Sequence, residues 1–290
     1  MSIANWFETF NGNLRMSNDT IDKIVYRYKR ITKQLNKDFH NSDSEISNSI
    51  YVGSYGRGTD ILVSDIDMIF RLPYSEYVKY NAYSGNGQSS LLQAVKTSIE
   101  KTYHSSMKAD GQVIVVSFSD GIVFELVPSF INKDSSYTFA DTNNGGSWKV
   151  TNPKPEIAEM TEKNILWGKN LKRLCRMTRA WKYEWDVPIG GLLIDTLSYN
   201  FMRNYEYKDK SYLYYDFMSR DFFKFLSEQN LDQNYWLSPG SNQYVWRKGK
   251  FENKAKQCYN IALEAIEKGN NFPYSAKSKW REIYGSKFPS

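Results

Sequence analysis

Asp65 and Asp67, two aspartates separated by one isoleucine, sit in a stretch that otherwise reads as a strand, inside "YVGSYGRGTDILVSDIDMIFRL" from Tyr51 to Leu72. Residues two apart on a strand share a face and lie roughly 6.5 Å apart along the backbone, so the two carboxylates project together while Ile66 and Met68 face the other way. Carboxylates that close repel and raise each other's pKa unless a cation neutralises them, and hard divalent ions with oxygen ligands are the usual partner. A third carboxylate from a neighbouring strand completes a site for two Mg²⁺ ions, or Mn²⁺, roughly 3.5–4 Å apart, the arrangement that clamps the attacking and leaving oxygens in phosphoryl transfer. Glu125, mid-strand in "IVFELV" and on the face of Val123 and Val127, is the candidate. Asp120 is its rival, but it lies in the turn Ser119-Asp120-Gly121, where aspartate serves the local backbone.

Gly53 and Ser54 precede Asp65 by twelve and eleven residues, end one strand and open "SYGRGT", which reads as a short helix. The glycine permits close backbone approach, and the serine hydroxyl with helix N-terminal amides can hold phosphate oxygens. A glycine-serine pair alone carries no signal; its spacing to Asp-x-Asp does. A second cationic feature follows in a helix where Lys169, Lys172, Arg173 and Arg176 share one side, Arg179 lies at its margin, and Leu171, Leu174, Cys175, Thr178 and Trp181 take the other. This reads as a solvated face whose C-terminal end, Arg179 and Lys182, binds a triphosphate. Tyr55 and Arg57 either touch phosphate or cap the short helix, and Trp148 either borders the nucleotide or packs in the core.

The elements that must position these residues follow from periodicity. Ile21, Ile24, Val25, Tyr28, Ile31, Leu35 and Phe39 recur at helical spacing behind a Ser-Asn-Asp cap. After the strand Asp65 to Leu72 come a loop from Pro73 to Gln88, a helix through Leu91, Leu92, Val95, Ile99 and Tyr103, and a hairpin of "QVIVVSF" with "GIVFELVPSF". From Pro155 the pattern is helices only: a long one through Trp185, others from Gly191 to Tyr205 and Tyr212 to Leu226, and two at the C-terminal end. "DTNNGGSWKVTNPKP", Asp141 to Pro155, reads as a turn-rich connection. The fold class is therefore α+β, with residues 1–150 as an α/β core and 151–290 as a helical domain.

The 290 residues, 41% of them apolar, suffice for one large domain or two modest ones. No apolar run approaches the ~20 residues of a membrane span and the N-terminus lacks a signal-peptide pattern, so no membrane and a cytoplasmic location are expected. Cys175, Cys258, His40 and His104 lie too far apart for a paired zinc or disulfide framework, and both cysteines read as reduced core residues. The formal charge of +6 favours an anionic partner such as a nucleotide polyphosphate, while no basic run suggests long nucleic acid.

The pattern "VGSYGRGTDILVSDIDMIF" resembles the polymerase β-like nucleotidyltransferases, and within them the CD-NTases: bacterial enzymes of the SMODS type, similar to cyclic GMP-AMP synthase and DncV, with the CdnE-like branch as the expected relative. "FELVPSF" resembles their third-acid strand, and "KWREIYGSKFP" their C-terminal tail; the resemblance runs from Gly53 to Pro289. It implies a nucleotidyltransferase core of mixed sheet and helices, a helical domain like that of oligoadenylate synthase, and an active site in the cleft between them. Asp65, Asp67 and Glu125 would be catalytic metal ligands, with Gly53, Ser54, Arg179 and Lys182 holding substrate. The implied activity joins ATP, GTP or other NTPs into a cyclic di- or trinucleotide second messenger, with a purine product such as cyclic di-GMP preferred. That messenger would act on a separate effector in bacterial antiphage (CBASS) signalling. Three departures stand out: Glu125 where many relatives have Asp, Arg179 where the family has a phosphate-contacting Lys, and Gly191 where it has Ser, four residues before Asp195. The rival readings are a transferase that adds nucleotides to an RNA end, a protein or a small molecule, and a silent nucleotide-binding module; the presence of all three acids argues against the silent module.

Overall fold

The computed structural model describes residues 2–61 and 65–290. In chain order the elements are α1 (Ile3–Asn13), α2 (Asn18–His40), β1 (Ser49–Tyr51), α3 (Gly53–Arg57), β2 (Asp65–Arg71), α4 (Tyr74–Asn81), α5 (Gly87–Glu100), β3 (Ser106–Asp110), β4 (Val113–Ser117), β5 (Val123–Ile131), β6 (Tyr137–Asp141) and β7 (Ser147–Thr151). They continue as α6 (Pro153–Leu166), α7 (Asn170–Glu184), α8 (Gly191–Asn204), α9 (Tyr215–Ser227), β8 (Tyr235–Leu237), β9 (Tyr244–Trp246), α10 (Glu252–Lys268) and α11 (Pro273–Tyr284). The chain divides into a sheet unit, from Met16 to Gly56 and from β2 to Lys154, and a helical unit. This is the α+β composition expected from the sequence.

In the sheet unit the strands run in the order β1-β2-β5-β4-β3, with β6 on β5 and β7 on β6. Among the described residues β2 and β5 form the one parallel pair; the other pairs are antiparallel. Ser17 accepts a hydrogen bond from Thr20 N and starts α2, whose Ile24, Tyr28, Ile31 and Leu35 are buried at helical spacing. They share one core with Leu91, Leu92, Val95 and Ile99 of α5 and with Ile66, Met68, Phe70, Phe124 and Leu126 of the central strands. One face of the sheet is thus committed to the core, and the period-2 alternation leaves the other face to the acids.

The helical unit takes the chain from Pro155 onward, but also α1 with its following residues to Arg15, and a segment beginning at Arg57. A division at residue 150 is therefore crossed twice. Trp6, Phe7 and Phe10 of α1 are buried with Trp181, Trp280, Tyr284 and Phe288, and the Phe7 ring lies 5.1 Å from Trp280 and 5.2 Å from Phe288. These aromatics find their partners at the opposite end of the chain, which no local pattern records.

Several expected elements differ. The single long helix through Trp185 is two, because Gly168 and Lys169 take left-handed backbone angles (φ 59° and 67°) between α6 and α7. A Cβ at Gly168 would sit 3.0 Å from the backbone oxygen of Asp209, so both the angle and the close approach require glycine. The turn-rich connection contains β7, which the Gly145–Gly146 turn folds back onto β6 with Trp148 opposite Ala140. The loop after β2 contains α4, and the helical half contains the hairpin β8–β9. Among the described residues no helix is long and apolar enough to cross a membrane.

Candidate active site

Two parallel strands assemble the acids. Asp67 of β2 is the register partner of Glu125 on β5, and Asp65 is opposite Val123. Neighbouring strands lie about 4.8 Å apart, so Glu125 stands beside Asp67 on the face that also carries Asp65. Ile66, Met68, Phe124 and Leu126, each at most 1% exposed, anchor the opposite face. Asp65 is exposed; Asp67 and Glu125 are half-buried. Burial pushes the Glu125 pKa up, and the charges of Asp67 and then Asp65 push it further. The rival Asp120 is spent elsewhere: Arg27 grips it with two hydrogen bonds of 2.9 and 2.8 Å, which holds its carboxyl below the usual range, and it also accepts from Ile122 N.

Gly53 is explained by Asp67. It opens α3 with φ 60°, and a Cβ there would overlap the Asp67 carboxylate outright. Val52 N donates to Asp67 O at 2.9 Å, which draws this backbone onto β2 just before the glycine. Ser54 follows within the same short helix. The donor chemistry suits divalent cations: three carboxylates share one face, with the glycine backbone closely approaching one of them. Among the described residues no three acidic, histidine or cysteine side chains already close into a metal cage. The fit therefore rests on register and charge.

In the helical unit the sequence reading of Arg179 needs correction. Asp195, fully buried in α8, accepts from Arg179 Nη1 at 2.6 Å and Nη2 at 3.0 Å, from Arg57 Nε at 2.8 Å and from Thr59 Oγ1 at 3.0 Å. Arg179 also donates to the carbonyls of Cys175 and Gly191, and Arg57 lies 3.7 Å from Glu156, itself a hydrogen-bond acceptor from Ser241. Burial alone would raise the Asp195 pKa; Arg179 and Arg57 outweigh it and hold the carboxylate ionised. Arg179 is thus a structural cation, because a carboxylate one turn into α8 needs it. Arg57, for which phosphate contact and helix capping were the alternatives, joins the same cluster.

Lys182 is placed differently from Arg179. It is half-buried, with no ion pair among the described residues, and burial followed by the charges of Lys248 and Arg179 lowers its pKa. The Lys248 side chain packs over Gly190, the N-cap of α8, 3.4 Å from where a Cβ would be, and no side chain caps that helix. Lys182 and Lys248 thus place positive charge near the start of a helix of 14 residues, whose own dipole is positive at that end. Lys248 carried no signal in "VWRKGK", where it looks like any solvated cation. The remaining basic residues are not the free face the sequence suggested: Lys172, Arg173 and Arg176 are half-buried, and only Lys169 is exposed. Trp148 packs against Tyr77 and Phe130 and donates to Asn81 Oδ1 at 2.9 Å, a core role.

Two stability outcomes follow. A carboxyl whose pKa is raised on folding destabilises the folded state only when ionised; the penalty is absent in acid, grows as pH rises from about 4.5 through the folded pKa, and is complete above it. Glu125→Gln should therefore raise the melting temperature at pH 7 in EDTA, and thermal melts toward pH 4 should show that gain fading; a gain independent of pH would assign it to something other than ionisation. Arg179→Ala leaves Asp195 buried and under-compensated, so chemical denaturation should show a loss of about 3–5 kcal/mol, against at most about 1 kcal/mol for Lys182→Ala.

A family model described as the Second Messenger Oligonucleotide or Dinucleotide Synthetase domain, SMODS, matches residues 1–164. A probable cyclic nucleotide synthase of Bacillus cereus (strain VD146) is 25% identical over 178 residues, which cover 58% of this chain and 52% of that protein, so the match spans about half of the curated relative. Among solved structures, CdnC of E. coli MS115-1 in its complex with HORMA-deltaN superposes with a TM-score of 0.70 at 13% identity, covering 99% of this chain and 98% of that one. The CdnE cyclic dinucleotide synthase of Elizabethkingia meningoseptica, solved with GTP and Apcpp, gives 0.59 at 16% identity, covering 80% and 89%. At these identities the structures establish a shared fold, and the family match extends over more than half of the chain, including β2, β5 and the acids they carry: the chain belongs to the SMODS family of second messenger oligonucleotide or dinucleotide synthetases.

Proposed function

We propose that this protein joins nucleoside triphosphates through phosphodiester bonds, with release of pyrophosphate, to make a cyclic di- or trinucleotide second messenger. The observation that carries this reading is the parallel register that puts Glu125 beside Asp67, with Asp65 on the same face. Asp65, Asp67 and Glu125 would hold two Mg²⁺ ions, which when bound neutralise triphosphate charge and make the acceptor hydroxyl a better nucleophile. In the step itself the acceptor hydroxyl oxygen bonds to the α-phosphorus of the donor while its proton passes to the Glu125 carboxylate, the bond to the β-phosphate oxygen breaks, and pyrophosphate leaves with that electron pair. Gly53 keeps the backbone clear of Asp67, and Ser54 offers a hydroxyl to phosphate oxygens. Lys182, together with Lys248 and the first amides of α8, takes triphosphate charge, while Arg179 is committed to Asp195.

ATP and GTP are the preferred substrates, a reading supported by the GTP and Apcpp bound to the CdnE relative. A purine cyclic dinucleotide such as cyclic di-GMP, made in the bacterial cytoplasm and sensed by a separate effector in antiphage signalling, is the role that fits the family. The direct test incubates the purified protein with all four NTPs and Mg²⁺ or Mn²⁺ and identifies products by mass spectrometry and linkage-specific nucleases. Cyclic product is expected from the wild type and none from Asp65→Ala or Asp67→Ala. Lys182→Ala should weaken NTP binding by roughly 1.5–3 kcal/mol, the range for hydrogen bonds to charged groups. Transfer of nucleotides only onto an added RNA, protein or small molecule would replace this reading with that of an acceptor-dependent transferase.

A further inference from the structure

The helical unit holds a second group of cations, around a cavity of about 220 Å³ lined by Glu8, Asn11 and Arg15 from the N-terminal segment, Arg173 and Arg176 from α7, and Tyr212. Three guanidiniums around one cavity repel one another, and proteins ordinarily compensate such groups with carboxylates. Here, among the described residues, none of the three forms an ion pair. Arg173 Nη1 donates to Asn170 Oδ1 at 3.2 Å, Gly168 O at 3.4 Å and the Tyr215 hydroxyl at 3.5 Å, with its guanidinium 4.7 Å over the Tyr212 ring. Arg176 Nη2 donates to Gly58 O at 2.8 Å. Arg15 is exposed.

These partners are neutral, so they orient the guanidiniums without neutralising them. Burial lowers the Arg176 pKa; Asp60, beyond ion-pair distance, opposes the shift and Arg15 adds to it. The one carboxylate in the lining, Glu8, pairs with none of the arginines. The arrangement is oriented and under-compensated, which is the state of an anion site before its ligand arrives.

We propose that this cavity binds a small phosphorylated anion through Arg15, Arg173 and Arg176. A phosphate group has a charge near −2 and several oxygens that match planar guanidinium forks, whereas a lone carboxylate would leave most of the positive charge unmet. Size separates a small ligand from a polymer: drug-sized molecules occupy roughly 300–1,000 Å³, so about 220 Å³ suits a phosphomonoester or free phosphate. A nucleic-acid strand would need cations continuing beyond the cavity, and Glu8 interrupts them. Arg176 gives the site a reach beyond itself, because the carbonyl it holds belongs to Gly58, between Arg57 and Thr59, which both donate hydrogen bonds to Asp195.

The test is calorimetric titration of the full chain, at low ionic strength, with inorganic phosphate in one arm and glycerol 3-phosphate in the other, against acetate at matched ionic strength. Saturable binding is expected with one or both phosphates and not with acetate; binding in the first arm alone identifies free phosphate as the ligand, and tighter binding in the second identifies a phosphomonoester. Arg15→Ala, which removes an exposed side chain and leaves the core untouched, should weaken binding at least tenfold, as should Arg173→Ala, while Lys182→Ala should not change it. The proposal is overturned by no saturable binding in either arm, by unchanged affinity in Arg15→Ala, or by binding that Lys182→Ala abolishes, which would place the phosphate at the α8 end instead.

Discussion

Three carboxylates on one face of a parallel strand pair repel one another, and the rest of the sheet unit is arranged around that cost. At an effective dielectric near 20, two charges 4 Å apart cost about 4 kcal/mol, and less as they separate. On the other side of the same strands, Ile66, Met68, Phe124 and Leu126 are buried almost completely, and full burial of such side chains contributes about 1.5–3 kcal/mol each. The apolar face outweighs the acidic one. The strands are therefore held in register by groups that take no part in chemistry, and the acids remain close enough to bind cations. Gly53 belongs to the same solution, since any side chain there would push Asp67 out of place.

The helical unit deals with buried charge in the opposite way. Asp195 has no exposure and is compensated fully, by two guanidiniums and a threonine hydroxyl, so it is held ionised and inert. That cluster joins Arg57 and Thr59 to α7 and α8 and uses up Arg179. Among the described residues, Lys182 and Lys248 near the start of α8 form no ion pair. The two units thus treat charge differently: in the helical unit the buried carboxylate is balanced by its neighbours, while in the sheet unit three carboxylates share one face.

The same contrast shows which features were legible in the sequence. The shared face of Asp65, Asp67 and Glu125 was readable because strand periodicity is strict and a charge on the wrong parity stands out; α2, its Ser17 cap and the β4–β5 hairpin were readable for similar local reasons. Arg179 was not. Its partner Asp195 lies in the next helix, and a guanidinium aimed at a buried carboxylate has the same local sequence as one aimed at phosphate. The break at Gly168 was hidden because the apolar pattern runs on through α6 and α7, while the cause is the backbone of Asp209 from another part of the chain. Strand β7 was obscured by the glycines and asparagines of the turn that makes it possible, and α1 by partners at the opposite end of the chain.

The central claim is that the acids on β2 and β5 form a divalent-cation site, and binding tests it without relying on turnover. Thermal melting of the full chain should be followed from EDTA through increasing MgCl₂ or MnCl₂ at constant ionic strength, for wild type and Asp67→Asn. A ligand that binds only the folded state raises its stability with concentration. The wild-type melting temperature should rise saturably, while Asp67→Asn should start higher in EDTA, its repulsion relieved, and gain little. The same metal dependence in both proteins, or none in the wild type, would contradict the account.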